Sequence, residues 1–328
     1  MPPLLRVADL RAYYVGFRGS RVVKAVDGVS FDLEAGETFG LVGESGCGKT
    51  TTCHAIVRLL APSARIVGGR IELEGDDLVT KSQREMRLIR GRRIATILQD
   101  PMASLDPLFS IYDQVAEPAY YHRGLRGGRL RQRVRDLLAA VRIPSPERRM
   151  RDYPHQMSGG MRQRIVGAIA QAGGPRLIIA DEPTTNLDVT IQLQYLNLLK
   201  DLQRATGVAL IFVTHNLGIV AKMCDRVAVM YAGKIVEQQS VRGLFYRPRH
   251  PYTMALLDSI PKFGVKEPLY GIPGQPPDLS NLPPGCSFHP RCRQAMERCR
   301  IEEPWPAEVG EGAMARCWLP IGEAATRE

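Results

Sequence analysis

The run Gly43-Glu44-Ser45-Gly46-Cys47-Gly48-Lys49-Thr50 constrains this chain more than any other stretch. It follows an apolar run without alternation, Thr38-Phe39-Gly40-Leu41-Val42, and opens a helical pattern over Lys49 to Leu60. A strand, a glycine-rich turn and a helix in that order are the context a phosphate-binding P-loop requires. Glycines let the backbone curl until successive N–H groups face phosphate oxygens, and the helix amino terminus adds positive potential. Lys49 would supply a point charge for the β and γ phosphates, and Thr50 a hydroxyl for Mg²⁺. A chance glycine-rich turn would not bring strand, helix, Lys and Thr together.

Further short apolar runs at Ile94–Leu98, Leu177–Ala180 and Val208–Val213 read as strands covered on both faces. Helical patterns lie between them, at Ser158 to Ala172 and Ile191 to Arg204. Strands alternating with helices predict an α/β fold with a mixed, largely parallel sheet. Near the amino end Leu5–Tyr14, Val22–Phe31 and Arg70–Leu73 alternate instead, which predicts an antiparallel β subdomain. Arg-rich helical sequence broken by prolines predicts a helical subdomain inserted at about 86–165. Beyond about 246 proline becomes frequent, and an irregular Cys-rich tail is expected. The expected division is a P-loop domain over 1–260 and a C-terminal segment over 261–328.

With 44 Lys plus Arg against 34 Asp plus Glu, the formal charge is +10. Ten arginines lie between Arg123 and Arg151, opposed only by Asp136 and Glu147. Nucleic-acid binding would interleave such charge with stacking aromatics or a known motif, and neither is present. The reading is solvated helical faces beside an acidic partner or lipid headgroups. An apolar fraction of 44% with 24% charged residues is that of a globular chain. There is no apolar run of about 18 residues, and the first residues lack the shape of a signal peptide. A cytosolic chain with reduced cysteines is expected.

Leu177–Ala180 runs into Asp181-Glu182. An Asp at that strand end can hold Mg²⁺, and the adjacent Glu can polarise an attacking water. His215 ends the next strand, where α/β folds gather their ligands, and could reach a γ-phosphate.

On these residues the chain resembles the ATP-binding subunits of ABC transporters. Met157-Ser158-Gly159-Gly160-Met161-Arg162-Gln163-Arg164 looks like the family's signature motif. Physically it is a Ser N-cap with two glycines opening a helix, a second anion-binding terminus. The resemblance implies that Ser158, Gly159, Gly160 and Met161 close on ATP held by the P-loop of a second subunit. It also implies a Q-loop glutamine at Gln99, on Mg²⁺ together with Thr50 and Asp181. A D-loop would span Asn186-Leu187-Asp188, and Thr51 would join the phosphate site. Tyr14 best matches the aromatic stacked on adenine, with Tyr13 the alternative. Met157, Met161 and Asn186 depart from the commonest residues of the pattern, Asn186 leaving D-loop geometry open. Glu182, His215, Lys49 and Gln99 carry the implied chemistry.

The segments Gln99–Pro107, Arg249-His250-Pro251-Tyr252-Thr253 and Pro284–Cys292 resemble the branch serving oligopeptide, dipeptide and nickel importers. Import of di- or oligopeptides is the implied function. Nickel or another small solute is the alternative cargo, and a soluble ABC ATPase acting on nucleic acid the remote one. Implied partners are a second, related ATPase subunit, two membrane-spanning permease subunits and, indirectly, an extracytoplasmic solute-binding protein. The implied location is peripheral, on the cytoplasmic side of the membrane.

Cys286, Cys292, Cys299 and Cys317 crowd into the last 43 residues. Disulfides do not suit a cytosolic ATPase. A four-thiolate Zn²⁺ site favours close pairs, and none is present. A 4Fe-4S cluster also takes four thiolates and, being larger than one ion, tolerates looser spacing. The tail resembles that of cluster-binding members of the branch, which favours the cluster, with His289 as substitute ligand.

Overall fold

A computed structural model describes residues 2–16, 21–185, 187–261, 271–310 and 312–319. The chain forms two compact units. One comprises Leu4–Asp32, Phe39–Val79 and Thr214–Glu328, the other Met1–Pro3, Leu33–Thr38 and Thr80–Val213.

The first unit holds a four-stranded sheet in the order Val22–Leu33, Leu5–Val15, Ala64–Leu73, Asp76–Asp77. Leu5–Val15 pairs antiparallel with Ala64–Leu73, as the alternation predicts. Its inward set changes parity, from Leu5 and Val7 to Leu10 and Ala12. A register irregularity between Ala8 and Arg11 makes the change, with Asp9 in left-handed backbone at φ 48°. The Asp9 carbonyl occupies the space a Cβ on Gly69 would take, at 2.4 Å.

The same unit carries Thr38–Val42, paired parallel with Arg226–Tyr231 through Phe39↔Arg226 to Val42↔Val229. A two-residue turn at Ala232-Gly233, both at positive φ, reverses the chain into Lys234–Ser240. Positive φ at both positions matches the twist of a two-residue hairpin. The sequence pattern does not predict this hairpin. The C-terminal segment joins this hairpin. It has little regular structure, yet Met314–Ala315 pairs with Lys234–Ser240 and Ala307–Glu308 pairs with Met314–Ala315. Phe288 packs at 5.2 Å from both Tyr231 and Tyr252.

The second unit is built on parallel strands Ile94–Ile97, Leu177–Asp181 and Ala209–Thr214, in that order. Leu177–Asp181 is buried throughout, so its unalternating sequence reflects cover on both faces. Helices Ile111–Arg123, Gly127–Ala140 and Gly159–Ala172 pack on one another within the Arg-rich region. Gly127–Ala140 buries Leu130, Val134, Leu137 and Leu138, one stripe at helical spacing, and leaves Arg129, Arg131 and Arg135 exposed, with Arg133 half-buried against the Gln171 carbonyl. Ile111–Arg123 starts at a Ser110–Asp113 capping box and ends at Gly124 in left-handed backbone. Several arginines are neutralised locally: Arg135 by Glu147 at 3.1 Å, Arg142 by Asp201 at 2.8 Å, Arg149 by Asp152 at 2.9 Å. Arg129, Arg131, Arg148 and Arg151 are exposed. Among the described residues no helix is long and apolar enough to cross a membrane.

Candidate functional site

The loop Gly43–Thr50 emerges from the buried strand Thr38–Val42 and runs into the helix Lys49–Ile56. Two of its glycines are demanded by neighbours. A Cβ on Gly43 would lie 2.2 Å from the Met230 carbonyl oxygen, and one on Gly48 2.1 Å from that of Ala25. Gly46 differs: its φ is +80°, but nothing lies within 4 Å of where its Cβ would stand. Ser45 and Gly46 are exposed, while Cys47 is buried, its thiol pushed up by burial. The Lys49 ammonium donates to the carbonyls of Gly43 at 2.8 Å and Glu44 at 2.9 Å, so it is held across the mouth of the loop. Thr50 is exposed, whereas Thr51 is buried with its hydroxyl 3.3 Å from that of Tyr14. The competing Tyr13 is tied elsewhere. Its hydroxyl donates to Asp27 at 2.6 Å, and burial together with that bond raises it to about 12. Tyr14, rather than Tyr13, stands beside the P-loop helix. His215 is exposed at the carboxyl end of Ala209–Thr214.

Behind this loop stand residues that sequence reasoning did not assign to it. The Glu44 N–H donates to the Tyr252 hydroxyl at 2.9 Å, and the Glu44 carboxylate receives both terminal nitrogens of Arg291, at 2.7 and 2.9 Å. The Tyr252 segment is anchored in turn by Glu237, wholly buried. It accepts the N–H groups of Arg249 and His250, each at 2.8 Å. Burial pushes the Glu237 carboxyl up, and those hydrogen bonds oppose the shift. His250 is buried and lowered by burial to about 3, so it is a neutral ring whose Nδ1 accepts the Tyr252 N–H at 3.0 Å. The available signal was the Arg249–Thr253 run, read only as a family likeness.

In the second unit Asp181 is the buried last residue of its strand, paired with Val213. Glu182 follows in left-handed backbone at φ 44°, an uncommon state for a residue other than glycine. Its N–H donates to the Val213 carbonyl at 3.0 Å. Its carboxylate accepts the Thr185 hydroxyl at 3.0 Å and the Gln99 amide at 3.4 Å. The structure therefore brings Gln99 and Glu182 together, across 83 residues of sequence. Ser158 caps Gly159–Ala172 and accepts the Met161 N–H at 3.4 Å, leaving Gly159 exposed at the helix start. A Cβ on Gly160 would press the Ile191 side chain at 2.8 Å. Of the expected D-loop, Asn186 lies outside the described residues. The Leu187 N–H donates to the Thr184 carbonyl at 3.2 Å, and Asp188 caps Val189–Thr206 through the Ile191 N–H at 3.0 Å.

The four late cysteines are free thiols, and all line one cavity, closed partly by Trp318, Phe288 and His250. Burial pushes Cys286 up to about 11 and also raises Cys292 and Cys317, with neighbouring thiols adding to each. His289 lines the same cavity, its Nδ1 placed 2.9 Å from the Cys286 carbonyl. Among the described residues no three His, Cys, Asp or Glu side chains are grouped as one metal ion would require.

The glycine-built loop between the strand Thr38–Val42 and the helix Lys49–Ile56 is that of a P-loop nucleoside triphosphatase. The ABC transporter family profile matches residues 26–185, and that of the oligopeptide/dipeptide transporter C-terminal region matches 236–299. A probable peptide ABC transporter ATP-binding protein of Sinorhizobium fredii is 48% identical over 96% of this chain and 94% of its own length. The dipeptide transport ATP-binding protein DppD of Bacillus subtilis is 47% identical over 97% of this chain and 95% of its own. Among solved structures, a dimeric post-hydrolysis form of the ATP-binding cassette MJ0796, bound to ADP and phosphate, superposes with a TM-score of 0.65. That likeness has 26% identity and covers 73% of this chain and 99% of the other. The chain belongs to the ABC transporter family, as an ATPase subunit.

Proposed function

We propose that this chain powers the import of di- or oligopeptides, as a motor subunit on the cytoplasmic side of the membrane. The observation that carries the reading is the Gly43–Thr50 loop with Lys49 held across its mouth, in a chain whose residues 236–299 match the C-terminal region of oligopeptide/dipeptide transporters. In the first unit, backbone N–H groups of residues 43–51 and the Lys49 ammonium bind phosphate oxygens. Thr50 holds Mg²⁺, Tyr14 stacks on adenine, and His215 stabilises γ-phosphate charge. In the second unit, Asp181 and Gln99 serve Mg²⁺ and Glu182 orients and deprotonates the attacking water. Ser158, Gly159, Gly160 and Met161, with the D-loop, face the ATP of a second, related ATPase subunit. Leu108, 81% exposed, together with the exposed Leu98 and Phe109, offers apolar side chains near Gln99 in sequence for two permease subunits.

The complex with its permease subunits, reconstituted in vesicles, is expected to hydrolyse ATP faster when the solute-binding protein is loaded with a peptide. Stimulation by a nickel chelate and by no di- or oligopeptide would overturn the cargo assignment. Tyr14→Ala should weaken ATP binding by roughly five- to tenfold, the magnitude of a lost aromatic stack. Tyr13→Phe, which breaks only the bond to Asp27, should leave ATP affinity unchanged. Equilibrium titration with a fluorescent ATP analogue reads both.

We propose further that Cys286, Cys292, Cys299 and Cys317 hold a 4Fe-4S cluster. Four unpaired thiols facing one cavity fit the donor set such a cluster needs. Burial, with neighbouring thiols adding to it, raises Cys286, Cys292 and Cys317 and so favours their protonated forms, and a metal centre would hold them as thiolates. Bound there, the cluster would staple a segment poor in regular structure. Anaerobically purified protein is expected to contain iron and acid-labile sulfide with visible charge-transfer absorbance, all lost in Cys299→Ser. Zinc without sulfide would sink the assignment.

A further inference from the structure

Arg291 belongs to the short turn His289–Arg291, one residue before Cys292, and its side chain is 5% exposed. Its two terminal nitrogens form a paired fork on the Glu44 carboxylate, at 2.7 and 2.9 Å. The Nε donates to the Pro273 carbonyl at 2.9 Å, and Nη1 also approaches the Tyr231 hydroxyl at 3.4 Å. These bonds fix the guanidinium plane, and the plane fixes the carboxylate. The main chain of the same glutamate is held independently by Tyr252. Glu44 is thus gripped at backbone and side chain by two residues that lie more than 200 positions away.

Glu44 is also the second residue of the phosphate loop. Its carbonyl accepts the Lys49 ammonium at 2.9 Å and the Cys47 N–H at 3.3 Å. A carboxylate on a loop that must receive a polyanion repels that polyanion unless a cation neutralises it. The partly buried fork of Arg291 is that cation. It also holds the loop's curvature before phosphate arrives, which lowers the ordering cost of binding.

We propose that Arg291 is a positioning residue of the nucleotide site: by clamping Glu44 it neutralises and shapes the P-loop, and so makes the Cys-bearing C-terminal segment a working part of ATP binding. The inference rests on the P-loop being the ATP site, as proposed above. The segment then tunes affinity for nucleotide, while the chemical step stays with Glu182.

The test is ATP affinity measured beside turnover in the full-length chain. Arg291→Ala is expected to raise the Kd for ATP at least about tenfold, since an uncompensated carboxylate then lies on the loop that receives the phosphates. The kcat at saturating ATP should stay within about twofold. Adding Glu44→Gln removes the exposed charge, and the double variant should return to within about threefold of wild-type Kd. A role for Arg291 in packing alone would not be rescued from the Glu44 side. Wild-type Kd in Arg291→Ala, or a double variant as weak as the single, would overturn the proposal. Should Arg291→Ala not fold, Arg291→Lys keeps the charge without the fork. An intermediate Kd supports the clamp, and a wild-type Kd rejects it. Failure of the wild-type chain to bind ATP would instead reject the nucleotide site itself.

Discussion

Glu182→Gln is expected to leave ATP binding within about threefold of wild type and to cut steady-state hydrolysis by about 100- to 10,000-fold. That range is the contribution of a positioned general base. The amide keeps the size and shape of the carboxylate, so the Thr185 hydroxyl and Gln99 amide, at 3.0 and 3.4 Å, still meet an oxygen. What disappears is the capacity to take a proton from water. The backbone at Glu182 already sits at φ 44°, a conformation that costs about 1–2 kcal/mol for a residue with a side chain. Glutamine has the same strain, so unfolding free energy should move by less than about 0.5 kcal/mol. The strain is held by the Glu182 N–H bond to Val213 at 3.0 Å, which fixes where the carboxylate starts from the strand end. Single-turnover hydrolysis with radiolabelled ATP, beside an equilibrium binding curve, separates the two quantities. Near-normal turnover would remove Glu182 from the catalytic role and return it to being a loop residue.

What could be read in the sequence was local. The P-loop was legible because its glycines fall within eight residues, between a buried strand and a helix. The collisions at Gly43 and Gly48 explain two of them. The strands of the second unit were legible because burial on both faces leaves an unbroken apolar run, as at Leu177–Ala180. The hairpin of Arg226–Tyr231 and Lys234–Ser240 was not, because its turn places Ala232 at a positive-φ position where Asn, Asp or Gly would have signalled it. Glu182 was legible as an acid beside Asp181, but its left-handed backbone was not, since nothing local in Asp181-Glu182-Pro183 specifies it. The grip of Arg291 and Tyr252 on Glu44 was invisible for a different reason. Periodicity and spacing describe neighbours in sequence, and 247 residues separate Arg291 from its partner. The four cysteines lie between these cases: their number suggested a common site, but only the fold shows that they line one cavity.

Gly48→Ala should abolish saturable ATP binding and lower the unfolding free energy by about 3 kcal/mol, the sum of left-handed strain and an unrelieved overlap. The overlap decides the size. A Cβ at residue 48 would stand 2.1 Å from the Ala25 carbonyl oxygen, which is main chain of the strand Val22–Leu33. A backbone carbonyl within a paired strand cannot rotate aside as a side chain would, so loop or strand must move. If the loop moves, the carbonyls that hold Lys49 move with it, and the lysine loses its place across the phosphate site. Gly46 provides the internal control. It has a comparable backbone, φ +80°, but open space where a Cβ would go. Gly46→Ala should therefore show only the conformational term, about 1 kcal/mol, with ATP binding weakened and still measurable. Denaturant unfolding and ATP titration of the two variants in parallel distinguish a loop that needs glycine for its backbone from one that needs it for a neighbour. Equal losses at both positions would mean that the approach of Ala25 does not shape the loop, leaving torsional freedom alone as the reason for its glycines.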